Sequence, residues 1–324
     1  MIALQPIPMK YRSHDLGFPK GWYAVADSAE VTGTAMLPVS YLDQQLIVYR
    51  DASGRAQVAD AYCPHMGAHL ASHDGCITDG RIVCPFHKWS FDAASGQCVN
   101  IPYTKIMVPP SVKLTIHPTC EVDDIVMMWY HPKGEAPDYE PFSRSQLNTE
   151  QPWVLHSVKD LVSTCPFQDL FENLFDTAHV QQLHGGVGLP NIVSIDRAPH
   201  GLRVKFGPPT APEQFSITHM ENNFSGVTMN TLFIEGQGFA FMATATATPI
   251  DKERFRNVAR LYVRDMGSKE MNDALGGAFA QRTYAEIDQD MKVLNFKRHL
   301  AKPNLCAGDG PISKWRKYQD EFYA

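Results

Sequence analysis

Short runs of alternating apolar and polar residues dominate the first 130 positions. Residues 22–26, 36–39 and 46–50 have strand length and period-two alternation, and turn residues such as Asp51-Ala52-Ser53-Gly54 separate them. This β texture runs to Tyr130. The turn His131-Pro132-Lys133-Gly134 and a Pro-rich stretch over 136–142 then interrupt it, which places a domain boundary within residues 135–150. The second half opens with a strand over 153–158. A helical pattern covers 168–183 and stops at Gly185-Gly186, since glycine commonly follows the last helical turn. Alternation returns from 192 to 263. Within it, 239–248 interleaves Ala and Thr with larger residues, and Thr248-Pro249-Ile250-Asp251-Lys252 turns into a strand over 257–263. Residues 271–298 read as a closing helix. The expected organisation is an N-terminal arm (1–20), a β domain (21–135) and a second, mixed domain (136–324), with no internal repeat.

Composition narrows the class. The chain has 324 residues, 44% of them hydrophobic and 20% charged, which excludes disorder, collagen and a disulfide-stapled miniature fold. The net charge of −6 gives no global attraction to nucleic acid or anionic lipid. No apolar run approaches the roughly 18 residues of a membrane helix, and residues 1–20 carry prolines and charges where a secretion signal would be apolar. A cytoplasmic protein without a membrane span is expected. Seven cysteines, an odd number without a secretion signal, point to thiols or metal ligands.

Four cysteines and histidines cluster. Cys63-Pro64-His65 is followed, after 18 intervening residues, by Cys84-Pro85-Phe86-His87. Each half offers one thiolate and one imidazole from a proline-containing loop. Two metals accept that set: tetrahedral zinc, and a [2Fe–2S] cluster with two Cys on one iron and two His on the other. Zinc fingers more often pair Cys with Cys and His with His. Mixed loops suit the two-iron cluster, because both loops reach both irons. Cys76, Cys98, Cys120, Cys165 and Cys306 have no ligand-like spacing and read as buried or reduced thiols. His69 and His73 read as ordinary surface or packing residues.

A second set lies in the other half. Asn173, Asp176, His179 and His184 follow the pattern N-x-x-D-x-x-H-x-x-x-x-H. On a helix the first three share one stripe. His184 lies about 140° further round from His179, so both meet one metal only if the helix distorts or ends between them. Two histidines and one carboxylate form the facial triad of non-haem Fe(II) oxygenases. The carboxylate candidates are Glu286, Asp288 and Asp290.

The residues around these ligands carry a resemblance. Segments 62–70 and 84–92 with 96–103 resemble the cluster domain of ring-hydroxylating Rieske oxygenases, and Met66 and Phe86 stand where respiratory Rieske proteins carry an extra disulfide. Residues 18–25, Ile101-Pro102-Tyr103, 308–312, Trp315-Arg316 and Phe322-Tyr323 are similar to the 3-ketosteroid 9α-hydroxylase and cholesterol 7-desaturase subgroup. Lys88 stands where that family usually has glycine. The run 288–297 resembles the family's C-terminal helix, whose third iron ligand is the Asp of a Gln-Asp step; this implies Asp290, with Asp288 second.

The resemblance implies an α+β chain: an all-β Rieske [2Fe–2S] domain followed by a helix-grip catalytic domain, an antiparallel sheet around a long C-terminal helix. It implies a cluster on Cys63, His65, Cys84 and His87, and mononuclear Fe(II) on His179, His184 and Asp290. Asp176 and Asn173 are implied catalytic residues, with Asp176 bridging the iron histidine to His87 or His65 of a neighbouring subunit in a head-to-tail homotrimer. The implied activity is C–H hydroxylation of a hydrophobic, steroid-like or polycyclic substrate by O2. Electrons would come from NAD(P)H through a reductase, with or without a ferredoxin. Desaturation, demethylation and natural-product tailoring use the same iron site. A Rieske electron carrier and a zinc-stabilised lipid-binding protein are the readings outside that class. Phe175, Leu183, Val187, Phe224, Phe233, Phe239, Phe241 and Met242 are apolar pocket candidates, each also readable as plain core. Arg81, Lys88 and Lys105 read as solvated charges or as a docking patch for an acidic ferredoxin.

Overall fold

A computed structural model describes residues 5–13, 16–105, 107–147, 152–185, 191–207, 217–306 and 308–323. Two compact units emerge: one of residues 22–137, the other of the chain up to Gly21 together with 138–324.

The first unit is β apart from one 3-10 turn over Ser28–Glu30 among the described residues. Its strands are β1 (Gly21–Asp27), β2 (Leu37–Tyr41), β3 (Gln44–Arg50), β4 (Ala56–Asp60), β5 (Cys76–Thr78), β6 (Arg81–Val83), β7 (Ser90–Asp92), β8 (Cys98–Asn100), β9 (Ile116–His117), β10 (Thr119–Val122) and β11 (Ile125–Tyr130). They form three small sheets: β1-β11-β10, β2-β3-β4-β9 and β5-β6-β7-β8. Ile47, Tyr49, Ala59, Leu70, Ile82 and Phe91 fill a core between the second and third of these, and Cys63 and Cys84 belong to it. The three-residue strands of the third sheet are too short to show alternation, but they carry the loops that matter for the site.

The second unit holds β12 (Trp153–Ser163), the short helices α1 (Phe167–Leu170) and α2 (Thr177–His184), and then β13 (Ile192–Ala198), β14 (Gly201–Phe206), β15 (Ile217–Ser225), β16 (Met229–Gly236), β17 (Phe239–Pro249) and β18 (Phe255–Arg264). Helices α3 (Lys269–Leu294) and α4 (Ile312–Gln319) follow. The seven strands make one antiparallel sheet in the order β12-β18-β17-β16-β15-β14-β13. α3 lies on β12 and β18. Gly276 permits this approach, because a Cβ there would stand 2.3 Å from the His156 ring. The fold is α+β, dominated by sheet, with a long C-terminal helix against it.

Two expectations change. The helical stretch over 168–183 is three pieces: α1, a 3-10 turn over Glu172–Phe175, and α2. The break has a local cause. The Asp176 side chain accepts from the backbone N–H of Ala178 and His179, which starts a new helix at that point. The N-terminal arm is also no free tail. Arg12 is buried, and its guanidinium donates to the carbonyl oxygens of Thr164, Asn295 and Lys297.

Candidate metal centres

In the first unit the two ligand loops are near copies of each other. Gly67 N–H donates to Cys63 O at 2.9 Å, and Lys88 N–H donates to Cys84 O at 3.1 Å. Each loop then needs a left-handed residue four positions after its cysteine. Gly67 has φ +73° and Lys88 φ +57°. The family's glycine at the second position is thus explained, and this chain tolerates lysine there. Lys88 Nζ is held 2.5 Å from Asp74 Oδ2.

Cys63 and Cys84 are buried, while His65 and His87 are half exposed above them, their ring centroids 4.8 Å apart. Burial, with Cys84 alongside, pushes the Cys63 thiol up to about 12. A thiol so placed ionises readily only against a cation, so the pair fits a bound metal cluster. His65 stacks on Trp89 at 4.2 Å, and Trp89 Nε1 donates to Tyr103 Oη at 2.7 Å. Sequence reasoning quoted Trp89 and Tyr103 as resemblance and missed this bracing. Arg81 and Lys105 are exposed; the Lys88 charge is matched by Asp74. His73 is exposed beside Asp74, and His69 packs edge-on against Tyr62.

In the second unit the three predicted ligands meet. Among the described residues, only His179, His184 and Asp290 bring three such ligand atoms within 4.8 Å of one another. The Cys–His loops do not converge on one point as a single zinc ion requires. Asp290 Oδ1 lies 3.1 Å from His184 Nε2 and 3.7 Å from His179 Nε2. Burial pushes the Asp290 carboxyl above its usual range, and the two histidines pull it the other way. A half-buried carboxylate facing two imidazole nitrogens suits a cation. Asp288 pairs with Lys159 and Glu286 with Arg282, so neither competes.

The helix neither ends nor distorts between the histidines. α2 runs through both and ends at Gly185, φ +66°. Instead, His179 Nδ1–H donates back to the Asp176 carbonyl at 2.5 Å, which turns its ring toward α3. His184 Nδ1–H donates to Gln289 Oε1 at 2.7 Å. Both bonds fix the tautomer that leaves Nε2 for a metal. Asn173 Nδ2 lies 3.2 Å from His179 Nε2 and its amide bonds Asp290. Gln289 escaped sequence reasoning; its only signal was its place beside Asp290.

Of the apolar candidates, Phe175 and Phe224 are fully buried in an aromatic cluster with Trp315. Phe233 and Met242 pack with Phe142 and Tyr262 in a separate core. Phe239, Phe241 and Leu183 keep accessible surface. Gly186 and Val187 lie outside the described residues.

An all-β cluster unit and a helix-backed sheet carrying two histidines and a carboxylate define a Rieske non-haem iron oxygenase. A profile of the Rieske [2Fe–2S] domain matches residues 21–113, and one of the 3-ketosteroid 9alpha-hydroxylase C-terminal domain matches 128–323. The chain belongs to that family of Rieske oxygenases, enzymes that use a [2Fe–2S] cluster and a non-haem iron. A cholesterol 7-desaturase of Drosophila melanogaster is 33% identical over 95% of this chain and 75% of its own length. The oxygenase component of a 3-ketosteroid-9-alpha-monooxygenase from Rhodococcus rhodochrous is 24% identical, over 94% and 83%. Dicamba monooxygenase bound to dicamba shares the fold with a TM-score of 0.69 at 20% identity, covering 93% of this chain and 96% of its own. Pseudomonas putida NdmA with caffeine does so with 0.74 at 19% identity, covering 93% and 90%. Among the described residues no helix is long and apolar enough to cross a membrane.

Proposed function

We propose that this chain is the terminal oxygenase of a multicomponent system that hydroxylates a C–H bond of a hydrophobic, steroid-like substrate. Cys63, His65, Cys84 and His87 hold the cluster; His179, His184 and Asp290 hold the iron. The observation that carries this reading is the convergence of those three side chains in a family with steroid-acting relatives. When bound, the two metal groups supply electron relay and dioxygen activation. This chain's own residues set the conditions. The Asp176 carbonyl and Gln289 hold the imidazoles in one tautomer. Asn173 braces Asp290. Electrons arrive from NAD(P)H through a separate reductase, with or without a ferredoxin. The working assembly is a head-to-tail homotrimer in which Asp176 connects the iron of one copy to the cluster of the next.

Iron and acid-labile sulfide counts test the ligands. Three irons and two sulfides per chain are expected, with one iron lost in His179→Ala and the red-brown spectrum kept. Two irons in both proteins would leave an electron carrier; zinc without colour would defeat the reading. A second activity, desaturation, is favoured by the 33% identity to a cholesterol 7-desaturase. Turnover of a 3-ketosteroid and of cholesterol with a surrogate reductase separates the two, since one yields an alcohol and the other a new double bond.

A further inference from the structure

The two segments that carry the histidines and the carboxylate meet at one junction. β12 ends at Ser163 and leads through Thr164 into α1 and then α2, which carries His179 and His184. α3 carries Asp290 and ends at Leu294, about one helical turn further on. The two ends touch directly. Ser163 Oγ donates to Met291 Sδ at 3.2 Å, beside Asp290, and Thr164 N–H donates to Asn295 Oδ1 at 2.9 Å.

The N-terminal arm adds a further tie. The Arg12 guanidinium donates to Thr164 O on one side, and to Asn295 O at 2.5 Å and Lys297 O at 3.3 Å on the other. The last carbonyls of a helix have no partner within it and form the negative end of its dipole, so a cation there both satisfies and stabilises them. Arg12 O in turn accepts from His299 N–H at 2.7 Å. His299 Nδ1 lies 2.6 Å from Oδ1 of Asp169, a buried residue of α1, and Lys297 Nζ lies 3.4 Å from Asp169 Oδ2. Arg12 therefore fixes the exit of α3 by side chain and backbone, and that exit grips α1. The placement is costly. Arg12 is 3% exposed, its Nε is buried without a hydrogen-bond partner, and burial lowers its pKa from the ordinary value. Exposed contacts such as Met9 N–H to Glu253 Oε2, 2.7 Å, suffice to tie down an arm; a desolvated cation is not needed for that.

We propose that Arg12 is a positioning residue of the iron centre. By capping α3 and clamping it to the exit of β12, it keeps Asp290 facing His179 and His184. The inference rests on the oxygenase reading above and adds a residue remote in sequence to that same site.

Chelator competition on the anaerobic holoenzyme tests it. Arg12→Ala should weaken Fe(II) binding about tenfold and change the EPR spectrum recorded with nitric oxide as probe, with the cluster spectrum unchanged. Millimolar guanidinium should restore both, because it refills the cation position. Urea, similar in shape but uncharged, should not. Hydrogen exchange should rise in residues 163–169 and 290–299 and stay the same in β16 to β18. Wild-type affinity and EPR in Arg12→Ala, restoration by urea as well, or exchange rising through the whole sheet overturns the positioning role; in the last case Arg12 merely holds the fold. A wild-type chain that keeps no iron at this centre defeats the oxygenase reading instead. The exchange pattern then decides the clamp alone: a local rise upholds it, and no rise or a general one overturns it.

Discussion

Single residues differ sharply in how far sequence reveals them. The Cys63/His65 and Cys84/His87 loops stand out in the sequence because the cluster ligation proposed for them demands rare residues at fixed spacing. Gln289 is not, because a glutamine on a polar helix has many bland uses. Its bond to His184 nonetheless predicts a clear effect. Gln289→Leu should weaken Fe(II) binding by about 10- to 100-fold, and Gln289→Glu, which keeps the acceptor, should not. Competition with a chelator reads this directly; equal affinity in all three proteins would remove Gln289 from the site. Lys88 is the reverse case, a visible anomaly whose cause is conformational. Its left-handed backbone costs a non-glycine residue about 1–2 kcal/mol, while its exposed pair with Asp74 is screened by solvent and returns less than that. Lys88→Gly should raise the thermal midpoint of the first unit and leave the cluster spectrum unchanged. A lowered midpoint would mean that the Lys88–Asp74 pair is the stronger contributor.

At the level of elements, the strands were legible wherever one face is buried and alternation is enforced, as in β17. The interruption at Asp176 was not, since helical periodicity spans it and only side-chain capping breaks it. What holds that corner is equally hidden. Gly310 has φ +83°, and a Cβ there would stand 2.3 Å from Phe175 O and 3.1 Å from Thr177 N. The loop before α4 therefore supports the start of the ligand helix by backbone contact. Buried Glu172 on the adjoining turn is bound by Arg316 of α4 through bonds of 2.6 and 3.0 Å, which ties the same two segments by charge. Gly310→Ala should destabilise the second unit by about 2–3 kcal/mol and weaken iron retention, since it combines strain with a clash against backbone that cannot yield. Gly185→Ala is the matched control. It shares a left-handed conformation, φ +66°, but a Cβ there meets nothing within 4 Å, so it should cost only about 1 kcal/mol. Equal losses in a denaturant titration would mean that contact with the Phe175–Thr177 corner adds nothing.

For the whole molecule, the Pro-rich stretch near 136–142 breaks both periodicities, and the two compact units divide at Pro137 within it. The N-terminal arm, whose residues have no periodicity, docks through one buried guanidinium, Arg12, on carbonyls at the end of α3. Division of labour between units raises the question of which copy's cluster serves which iron. In a head-to-tail ring each iron site draws on the cluster of its neighbour, so two differently disabled chains complement each other. Cys84→Ser removes a proposed cluster ligand and His179→Ala a proposed iron ligand; each protein alone should be inactive. Co-expressed in equal amounts and randomly assembled, an iron-competent chain stands beside a cluster-competent one at about a quarter of all sites, so activity per chain should recover to about a quarter of wild type. Transfer confined to one chain predicts no recovery at any ratio, because every chain then lacks one of its two centres. The dependence on mixing ratio adds a second check: recovery should be greatest at equal amounts and fall toward zero at either extreme. Asp176→Asn in the cluster-deficient chain, where its iron partner resides, should abolish the recovery. The same change in the iron-deficient chain should leave it intact, because that copy contributes only its cluster.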